Sequence, residues 1–376
     1  MKISTNLEYF NEPLHLESGR ILSSFKLKYE TYGKLNENKT NAVVVCHALT
    51  GSCHAAGRYD GDAKPGWWDT LIGDNKTIDT TKYFIICVSI LGSPFGSTNP
   101  LSVDESTGTE YRLKFPVLTI SDVVNAQMRL FARLGIKKAH AVVGGSLGGM
   151  QALCFAIDHP NFSDRIVMLA STYATRAWAI AFNKIAIHGI LNDIIFDNGN
   201  YDKNLVAKHG LVGMEVGRMA GHISFLSPSS TDMKFGRNYV ATDGLYELKG
   251  RFEVDRYMEY NASNFAKKFD PLCYLYIVKM MNIFDSTRNY DDLKDALSNV
   301  KAKLTLIAFK GDMLFMPDEM KEIYDALNDL GKESEFYNIE SSYGHDAFLV
   351  ECDKFENYIK KALNEWKNRW NWKFWR

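Results

Sequence analysis

The sequence predicts an α/β fold, in which a mostly parallel sheet is flanked by helices and carries an inserted helical segment. Five continuous apolar runs have the pattern of parallel strands covered on both faces: residues 41–46, 83–90, 139–143, 164–170 and 303–309. Helical periodicity at 119–134 and at 149–159 supplies crossovers between such strands. This alternation of strand and helix favours a parallel sheet over an antiparallel one.

A long segment without strand patterns interrupts this alternation. Residues 177–289 are rich in Met, Phe, Tyr and Asn, and their pattern is mainly helical. We therefore expect residues 1–176 and 290–376 to form the α/β core, with 177–289 as an inserted helical lid. Residues 21–32 alternate apolar and polar side chains, as a half-exposed antiparallel strand does.

The composition argues against several classes of protein. The chain has 44 Lys and Arg against 45 Asp and Glu, and this net charge of -1 disfavours nucleic acid as a partner. No apolar stretch approaches the roughly 18 residues of a membrane span, and the first residues lack the apolar core of a signal peptide. The six cysteines are scattered without a CxxC pair, which is typical of reduced thiols. We expect a cytoplasmic protein without a membrane span.

Four glycines surround one serine where a strand gives way to a helix. Residues 144–148 read GGSLG and fit the pattern G-x-S-x-G, directly after the apolar run 139–143. Glycine weakens strands and helices, so its clustering here needs a reason. A sharp turn that exposes the Ser146 hydroxyl at a helix N-terminus supplies that reason. Alone, the pattern also fits a glycine-rich turn with an incidental serine.

Two residues further along the chain complete a nucleophilic site. A serine hydroxyl needs a base that an acid orients, and after such a turn the acid precedes the histidine in the chain. Asp312 follows the apolar run 303–309, and His345 follows the half-apolar run SEFYNIE. Each residue falls at the carboxyl end of an expected strand, where open α/β sheets build their sites. We expect Ser146, Asp312 and His345 to act together.

The loop after the run 41–46 is expected to complete this site. Loops in that position supply a second backbone amide for an oxyanion, so the N–H groups of Leu49 and Leu147 are the candidates. His47 and His54 could suggest a metal pair, but no third ligand with suitable spacing accompanies them, and no metal site is expected. The stretch 33–40 resembles a P-loop, yet a strand follows it, which predicts a surface turn.

Several longer segments resemble one known family. The homoserine O-acyltransferases of the α/β-hydrolase superfamily have similar sequences over nearly the whole chain, from about residue 8 to 360. Five segments carry this resemblance: HALTG (47–51), PGWWDTLIG (65–73), GGSLGGMQAL (144–153), GRMAGHISFLS (217–227) and GHDAFLVE (344–351). The resemblance implies an α/β-hydrolase fold, with a helical lid that carries homodimer contacts in relatives.

The resemblance also implies a reaction. The family transfers an acyl group from acyl-CoA to the hydroxyl of L-homoserine, on the route to methionine, without a bound cofactor. Acetyl-CoA is the expected donor, and succinyl-CoA stays open. Ser146 would be acylated, with His345 as its base and Asp312 as the partner of that base.

Two further residues would hold the amino acid. The resemblance assigns Arg218 to the substrate carboxylate and Asp346 to its ammonium group. This makes physical sense because a zwitterion needs one fixed cation and one fixed anion, and Arg suits a carboxylate well. Without the resemblance, Arg218 would be an ordinary helix cation and Asp346 a loop cap.

Departures from the family pattern leave alternatives open. Phe225 stands where relatives usually have Tyr, and Asn99 where they often have Gly, so serine stays open as the acceptor. An esterase or thioesterase could use the same triad.

In the tail 366–376, Trp366, Trp370 and Phe374 share a helical stripe. Such a stripe could contact a membrane or a partner but is more typical of packing against the chain's own domain.

Overall fold

A computed structural model describes residues 1–364 of the chain. Its centre is an eight-stranded sheet in the order β1-β2-β4-β3-β5-β6-β7-β8. The strands are β1 (Ile3–Phe10), β2 (Phe25–Tyr32), β3 (Ala42–Cys46), β4 (Phe84–Val88), β5 (Ala141–Gly145), β6 (Arg165–Leu169), β7 (Lys303–Phe309) and β8 (Ser334–Ile339). Three pairs of two-residue strands lie outside it: Leu14–His15 with Ile21–Leu22, Ile72–Gly73 with Ile78–Asp79, and Val103–Asp104 with Thr109–Glu110.

The pairing confirms a mostly parallel sheet. β4, β3, β5, β6, β7 and β8 pair in parallel, whereas β2 is antiparallel to both β1 and β4. The expected antiparallel strand at 21–32 is shorter in the structure, where β2 begins at Phe25. β1 was not expected, because as an edge strand it fully buries only Phe10 and so lacks a clear apolar pattern.

Both faces of the sheet are buried, as the continuous apolar runs predict. Along β3, the side chains of Val43 and Val45 belong to one apolar cluster and that of Val44 to the other. Successive side chains of a strand point to opposite faces, so a strand covered on both sides must be apolar throughout. The cluster of Val44 includes the helices that precede and follow β5 in the chain, at 120–133 and 147–158. The cluster of Val43 and Val45 includes the helix at 352–364.

Within residues 1–364, twelve α-helices accompany the sheet: α1 (Ile120–Arg133), α2 (Leu147–Asp158), α3 (Ala177–Leu191), α4 (Lys203–His209), α5 (Val212–Phe225), α6 (Pro228–Phe235), α7 (Glu253–Lys268), α8 (Pro271–Asn282), α9 (Leu293–Ser298), α10 (Pro317–Asp329), α11 (Ala347–Val350) and α12 (Cys352–Asn364). Short 3-10 helices occupy Arg112–Lys114, Ile194–Gly199, Thr242–Gly244 and Gly344–Asp346. The Thr119 hydroxyl caps α1 by accepting from the Asp122 amide, and the Asp122 carboxylate accepts from the Thr119 amide in return.

Helices α3 to α8 lie between β6 and β7 in the chain, within the segment expected to form the lid. α3 and α5 cross closely at Gly189 and Gly213. A Cβ atom on Gly213 would lie 1.9 Å from the carbonyl oxygen of Gly189. Only glycine permits this approach of two backbones. The division of the chain into 1–176 with 290–376, and 177–289, stays a prediction.

Two expectations concern membranes. Across residues 1–364, no helix combines the length and the apolar character needed to cross a bilayer. The tail at 366–376, with its expected aromatic stripe, lies outside the described residues.

The helix crossing predicts a stability effect of Gly213→Ala. The added methyl group would force α3 and α5 apart, and overpacking of this kind costs about 1–3 kcal/mol. We expect a lower melting temperature by calorimetry. The control is Lys208→Ala on α4 of the same segment, whose side chain is exposed and which should stay within about 0.5 kcal/mol of the parent. Equal melting temperatures for Gly213→Ala and the parent would contradict this account of the crossing.

Candidate active site

Ser146 lies at the sharp turn between β5 and α2. Its backbone has φ 57° and ψ -124°, a conformation that residues with a side chain rarely adopt and that costs about 1–3 kcal/mol. The Ser146 amide donates to the carbonyl of Leu169 in β6 at 2.9 Å, and its carbonyl accepts from the Ser171 hydroxyl at 2.8 Å. The backbone of Leu169 and the side chain of Ser171 therefore hold the strained turn on both sides.

The glycines around Ser146 are required by close contacts. A Cβ atom on Gly144 would lie 2.2 Å from the carbonyl oxygen of Gly148, and one on Gly148 would lie 2.1 Å from that of Cys46 in β3. A Cβ atom on Gly145 would lie 2.4 Å from the ring of Phe348. Each glycine therefore allows another part of the chain to approach the turn. The cluster positions Ser146 and is not an incidental turn sequence.

The chain segments after β7 and β8 bring an acid and a base to this turn. His345 Nε2 lies 2.9 Å from Ser146 Oγ, and His345 Nδ1 lies 2.8 Å from Asp312 Oδ2. The two loops touch through their glycines, because a Cβ atom on Gly344 would lie 2.9 Å from the carbonyl oxygen of Gly311. All three site residues are buried. The structure thus joins Ser146, His345 and Asp312 in one hydrogen-bonded chain.

Asp312 is held in place by backbone amides. Its Oδ1 accepts from the amides of Leu314 at 2.9 Å and Phe315 at 3.0 Å, which leaves Oδ2 for His345. Burial alone would lower the pKa of His345, but the charge of Asp312, its hydrogen bond and the charge of Asp346 together raise that pKa above its ordinary value. An imidazolium at this position is therefore stabilised when Ser146 gives up its proton.

A buried tryptophan holds the chain segment that follows His345. Trp68, in the PGWWD segment, is fully buried and donates from Nε1 to the carbonyl of Phe348 at 2.9 Å. The ring of Phe348 lies 5.7 Å from that of His345 and also covers Gly145. Trp68, 280 residues from Phe348 in the chain, therefore helps to set the position of His345 relative to the turn at Ser146.

A cavity of about 120 Å³ opens beside Ser146 and His345. Leu49 is part of its wall, and Leu147 is the first residue of α2. The first amides of a helix have no intrahelical acceptor, so the Leu147 N–H is available to a ligand. The roles of the Leu49 and Leu147 amides as an oxyanion hole stay a prediction.

His47 supports the Leu49 loop and does not bind a metal in this arrangement. Its Nδ1 donates to the carbonyl of Ala48 at 2.8 Å, and its Nε2 accepts from the amide of Ile90 at 3.0 Å. Burial lowers the pKa of His47 to about 4, so the ring is neutral. His54 instead bonds the buried Glu30 at 3.0 Å. Among residues 1–364 no group of three His, Cys, Asp or Glu is placed to hold a metal ion.

Arg218 and Asp346 both line the cavity. Arg218 lies on α5, and Asp346 lies in the short 3-10 helix after β8. The Arg218 guanidinium lies 4.5 Å from the ring centroid of Phe265 and 5.5 Å from that of Phe225. Its buried Nε has no hydrogen-bond partner within the described chain. Burial lowers the pKa of Arg218, whereas burial raises the pKa of Asp346. The charges of Arg218 and Asp346 act on each other in the opposite direction, but burial has the larger effect on both pKa values, as expected of groups that meet a ligand.

The two departures from the family pattern have different consequences. Phe225 lines the cavity, so the absence of a hydroxyl there does alter the wall. Asn99 is buried in the loop after β4, where its amide donates to the carbonyls of Ser93 and Ser97 at 3.0 and 3.1 Å. Its Oδ1 accepts from the amide of Leu101 at 2.8 Å. Asn99 therefore shapes its own loop and does not belong to the cavity wall.

Other cavity residues could not be found from the sequence. Phe182 and Asn183 come from α3, and Tyr274 and Met281 come from α8. Asn183 is fixed by donating to Asn282 Oδ1 at 2.7 Å. Helical periodicity marks which side chains are apolar, but it does not show which of them face an internal cavity.

The pKa of His345 predicts a pH dependence of Ser146 acylation. Only the neutral imidazole can take the serine proton, so the rate should fall as the pH drops through a value above the ordinary 6.5. In Asp312→Asn the carboxylate charge is lost, so the fall should move to lower pH and the maximal rate should drop about 10³- to 10⁴-fold. The measurement is the pre-steady-state burst with a chromogenic acetate ester.

Asp318→Asn is the matched control for this prediction. Asp318 is an exposed carboxylate at the start of α10, outside the cavity. Its profile should equal that of the parent. An unshifted profile in Asp312→Asn would show that Asp312 does not set the pKa of His345.

Comparison with known proteins agrees with this architecture. The sequence profile of the α/β-hydrolase fold matches residues 41–351, well over half of the chain. A solved homoserine O-acetyltransferase from Bacillus anthracis superimposes with a TM-score of 0.90 at 28% identity, over 97% of this chain and 98% of that one. Esterase E22 superimposes with a TM-score of 0.87 at 28% identity, over 96% of this chain and 100% of that one.

Sequence similarity is higher still to one curated relative. The homoserine O-acetyltransferase of Sulfurimonas autotrophica is 57% identical over 365 residues, which cover 97% of this chain and 99% of the relative. This confirms the resemblance seen in the sequence. The chain belongs to the homoserine O-acetyltransferase family, within the α/β-hydrolase fold.

Proposed function

We propose that the protein transfers an acetyl group from acetyl-CoA to the hydroxyl of L-homoserine, a step of methionine biosynthesis, through an acyl-enzyme on Ser146. One observation carries this proposal. The hydrogen-bonded chain of Ser146, His345 and Asp312 opens into the same cavity as Arg218 and Asp346, which are suited to the two charges of an amino acid. The family of the chain supplies the identity of that amino acid.

The first half of the reaction acylates the serine. His345 Nε2, 2.9 Å from Ser146 Oγ, takes the serine proton while Oγ attacks the thioester carbonyl. The amides of Leu49 and Leu147 donate to the oxyanion of the tetrahedral intermediate. The C–S bond then breaks, the proton on His345 passes to the leaving sulfur, and CoA departs as a thiol. Ser146 is left as an acetyl ester and His345 is neutral again.

The second half transfers the acetyl group to the amino acid. The Arg218 guanidinium binds the homoserine carboxylate and Asp346 binds its ammonium group, which brings the hydroxyl towards His345. His345 takes the hydroxyl proton as the oxygen attacks the ester carbonyl, and the same two amides stabilise the new oxyanion. The bond to Ser146 Oγ breaks, and His345 returns the proton to it. The product is O-acetylhomoserine.

The charges of the cavity favour acetyl over succinyl as the transferred group. A succinyl group carries a carboxylate that needs its own cation, because burying an unpaired charge is costly. Among the described residues that line the cavity, Arg218 is the only Lys or Arg. With Arg218 occupied by the amino acid, the remaining wall offers Leu49, Leu314 and other apolar groups to the acyl chain. A neutral acetyl group suits these surroundings.

Hydrolysis of esters is the second candidate function. The structural similarity to esterase E22 favours it, because the same three residues could transfer the acyl group to water. A transferase must keep water away from the acyl-enzyme. The insertion contributes the apolar side chains of Phe182, Phe225 and Met281 to the cavity wall. Because these side chains do not hydrogen-bond water, they favour transfer to a bound amino acid over hydrolysis.

We also propose a homodimer in the cytoplasm. Apolar side chains on the neighbouring helices α3 and α5 are exposed, among them Ile185, Val212 and Ile223. Exposed apolar surface of this kind is typical of protein interfaces. All six cysteines are buried and unpaired, which supports a reducing compartment. Light scattering of the purified protein tests the dimer, and a monomer at all concentrations would contradict it.

The reaction itself predicts that release of CoA thiol depends on homoserine. With acetyl-CoA, steady thiol release should require homoserine and yield O-acetylhomoserine by mass. Succinyl-CoA should react at least tenfold more slowly, as the charge argument demands. Ser146→Ala should stay folded and release no thiol. Thiol release that ignores homoserine would instead establish a hydrolase, and turnover by Ser146→Ala would contradict the triad.

The amino-acid clamp predicts a selective effect of Arg218→Lys. A lysine keeps the charge but loses the two-pronged contact with the carboxylate. We expect the KM for homoserine to rise about tenfold or more, while the burst of thiol release from acetyl-CoA stays near that of the parent. An equal loss in both half-reactions would contradict the assignment of Arg218 to the acceptor.

A further inference from the structure

One wall of the cavity carries a phenol hydroxyl that the mechanism above does not use. Tyr274 lies on α8 and lines the cavity that contains Ser146 and Arg218. It is only 6% exposed. Its ring packs edge-to-face against a stacked pair of phenylalanines, with centroids 5.8 Å from Phe265 and 6.0 Å from Phe269. This packing fixes the ring and therefore fixes where the hydroxyl points.

The Tyr274 hydroxyl lacks a partner in the protein. Two other buried tyrosine hydroxyls donate to carboxylates, Tyr32 to Glu30 at 2.6 Å and Tyr201 to Asp270, and a third, Tyr83, donates to the carbonyl of Leu363 at 3.3 Å. Within residues 1–364 the hydroxyl of Tyr274 makes no hydrogen bond to another group. Buried polar groups are nearly always bonded, and an unbonded hydroxyl on a cavity wall is available to whatever fills the cavity.

Arg218 lines the same wall as Tyr274, and its positive charge acts on the Tyr274 hydroxyl. Its guanidinium lies 4.5 Å from the ring centroid of Phe265, the same ring that Tyr274 packs against. Burial raises the pKa of Tyr274, although the positive charge of Arg218 acts to lower it. The hydroxyl therefore keeps its proton at neutral pH and can donate. Phe225, the other ring beside Arg218, has no polar atom to contribute.

We propose that the Tyr274 hydroxyl donates a hydrogen bond to the carboxylate of the amino-acid acceptor, beside Arg218. This inference rests on the proposed function. A carboxylate has about four acceptor positions, and a two-pronged arginine fills two of them, so a further donor is needed when the group is buried. The charge of Arg218 disfavours an ammonium group here, which leaves the carboxylate as the group that this part of the wall recognises.

The inference assigns a specificity role to α8. Arg218 would supply charge, and Tyr274 would supply a directed donor on a rigid ring. Together they would select acceptors that carry an α-carboxylate over simple amino alcohols with the same hydroxyl. The residue acts on acceptor binding and has no part in the acylation of Ser146 by the donor.

The test is Tyr274→Phe, which removes only the oxygen atom. The KM for homoserine should rise about 10- to 100-fold, the change expected for a hydrogen bond to a charged group. The burst of CoA thiol from acetyl-CoA should be unchanged. With 3-aminopropan-1-ol, which is homoserine without its carboxylate, parent and variant should transfer acetyl equally slowly.

Tyr276→Phe is the matched control on the same helix. The Tyr276 hydroxyl donates to the carbonyl of Leu113 at 3.0 Å and lies outside the cavity. This variant should behave as the parent with both acceptors. A melting temperature of Tyr274→Phe close to that of the parent would show that the ring packing is intact.

Three outcomes would overturn the assignment of Tyr274. They are an unchanged KM for homoserine, an equal loss in the thiol burst, and a loss that persists with 3-aminopropan-1-ol. Failure of the proposed function is visible separately. In that case the parent itself would release thiol without any dependence on homoserine, and the role of Tyr274 in acceptor binding would fall with it.

Discussion

The strained backbone at Ser146 is the constraint on which the site depends. A side chain at positive φ is tolerated there because β3, β6 and α2 hold the turn through backbone contacts, and Gly144 and Gly148 leave room for them. The strain directs the hydroxyl out of the sheet towards His345. Any substituent on these glycines would push apart the strands that define the turn, so catalysis and packing are coupled at this one point.

Electrostatic preorganisation follows from this geometry. Asp312 is fixed by two backbone amides and fixes His345 in turn, so the base is held ready before any substrate arrives. In contrast, Arg218 and Asp346 stay incompletely compensated within the described chain. The site therefore combines a triad whose hydrogen bonds are complete with charged groups whose partners would arrive with a zwitterion. That difference is the physical basis for proposing that the triad performs the chemistry and that Arg218 and Asp346 select the acceptor.

The helical segment between β6 and β7 forms part of the wall of the cavity beside the triad. The sheet and its loops could serve hydrolysis or transfer equally well, because both begin with the same acyl-enzyme. The walls contributed by α3, α5 and α8 add Asn183, Arg218 and Tyr274 to the cavity that contains the triad. The close crossing of α3 and α5 at Gly189 and Gly213 fixes two of these walls relative to each other. Under the proposed function, packing within this segment therefore positions the side chains that would contact the acceptor.

The sequence by itself determined the fold class, the turn at Ser146 and the positions of Asp312 and His345 at strand ends. These features depend on local patterns: apolar runs, a glycine cluster and the order of residues along the chain. It did not reveal β1, which buries too little to leave a pattern, nor the contacts of His47 and Asn99 or the place of Tyr274 in the cavity wall. Only the tertiary structure decided those, because each depends on a contact with residues elsewhere in the chain, and one sequence does not record which distant side chains meet.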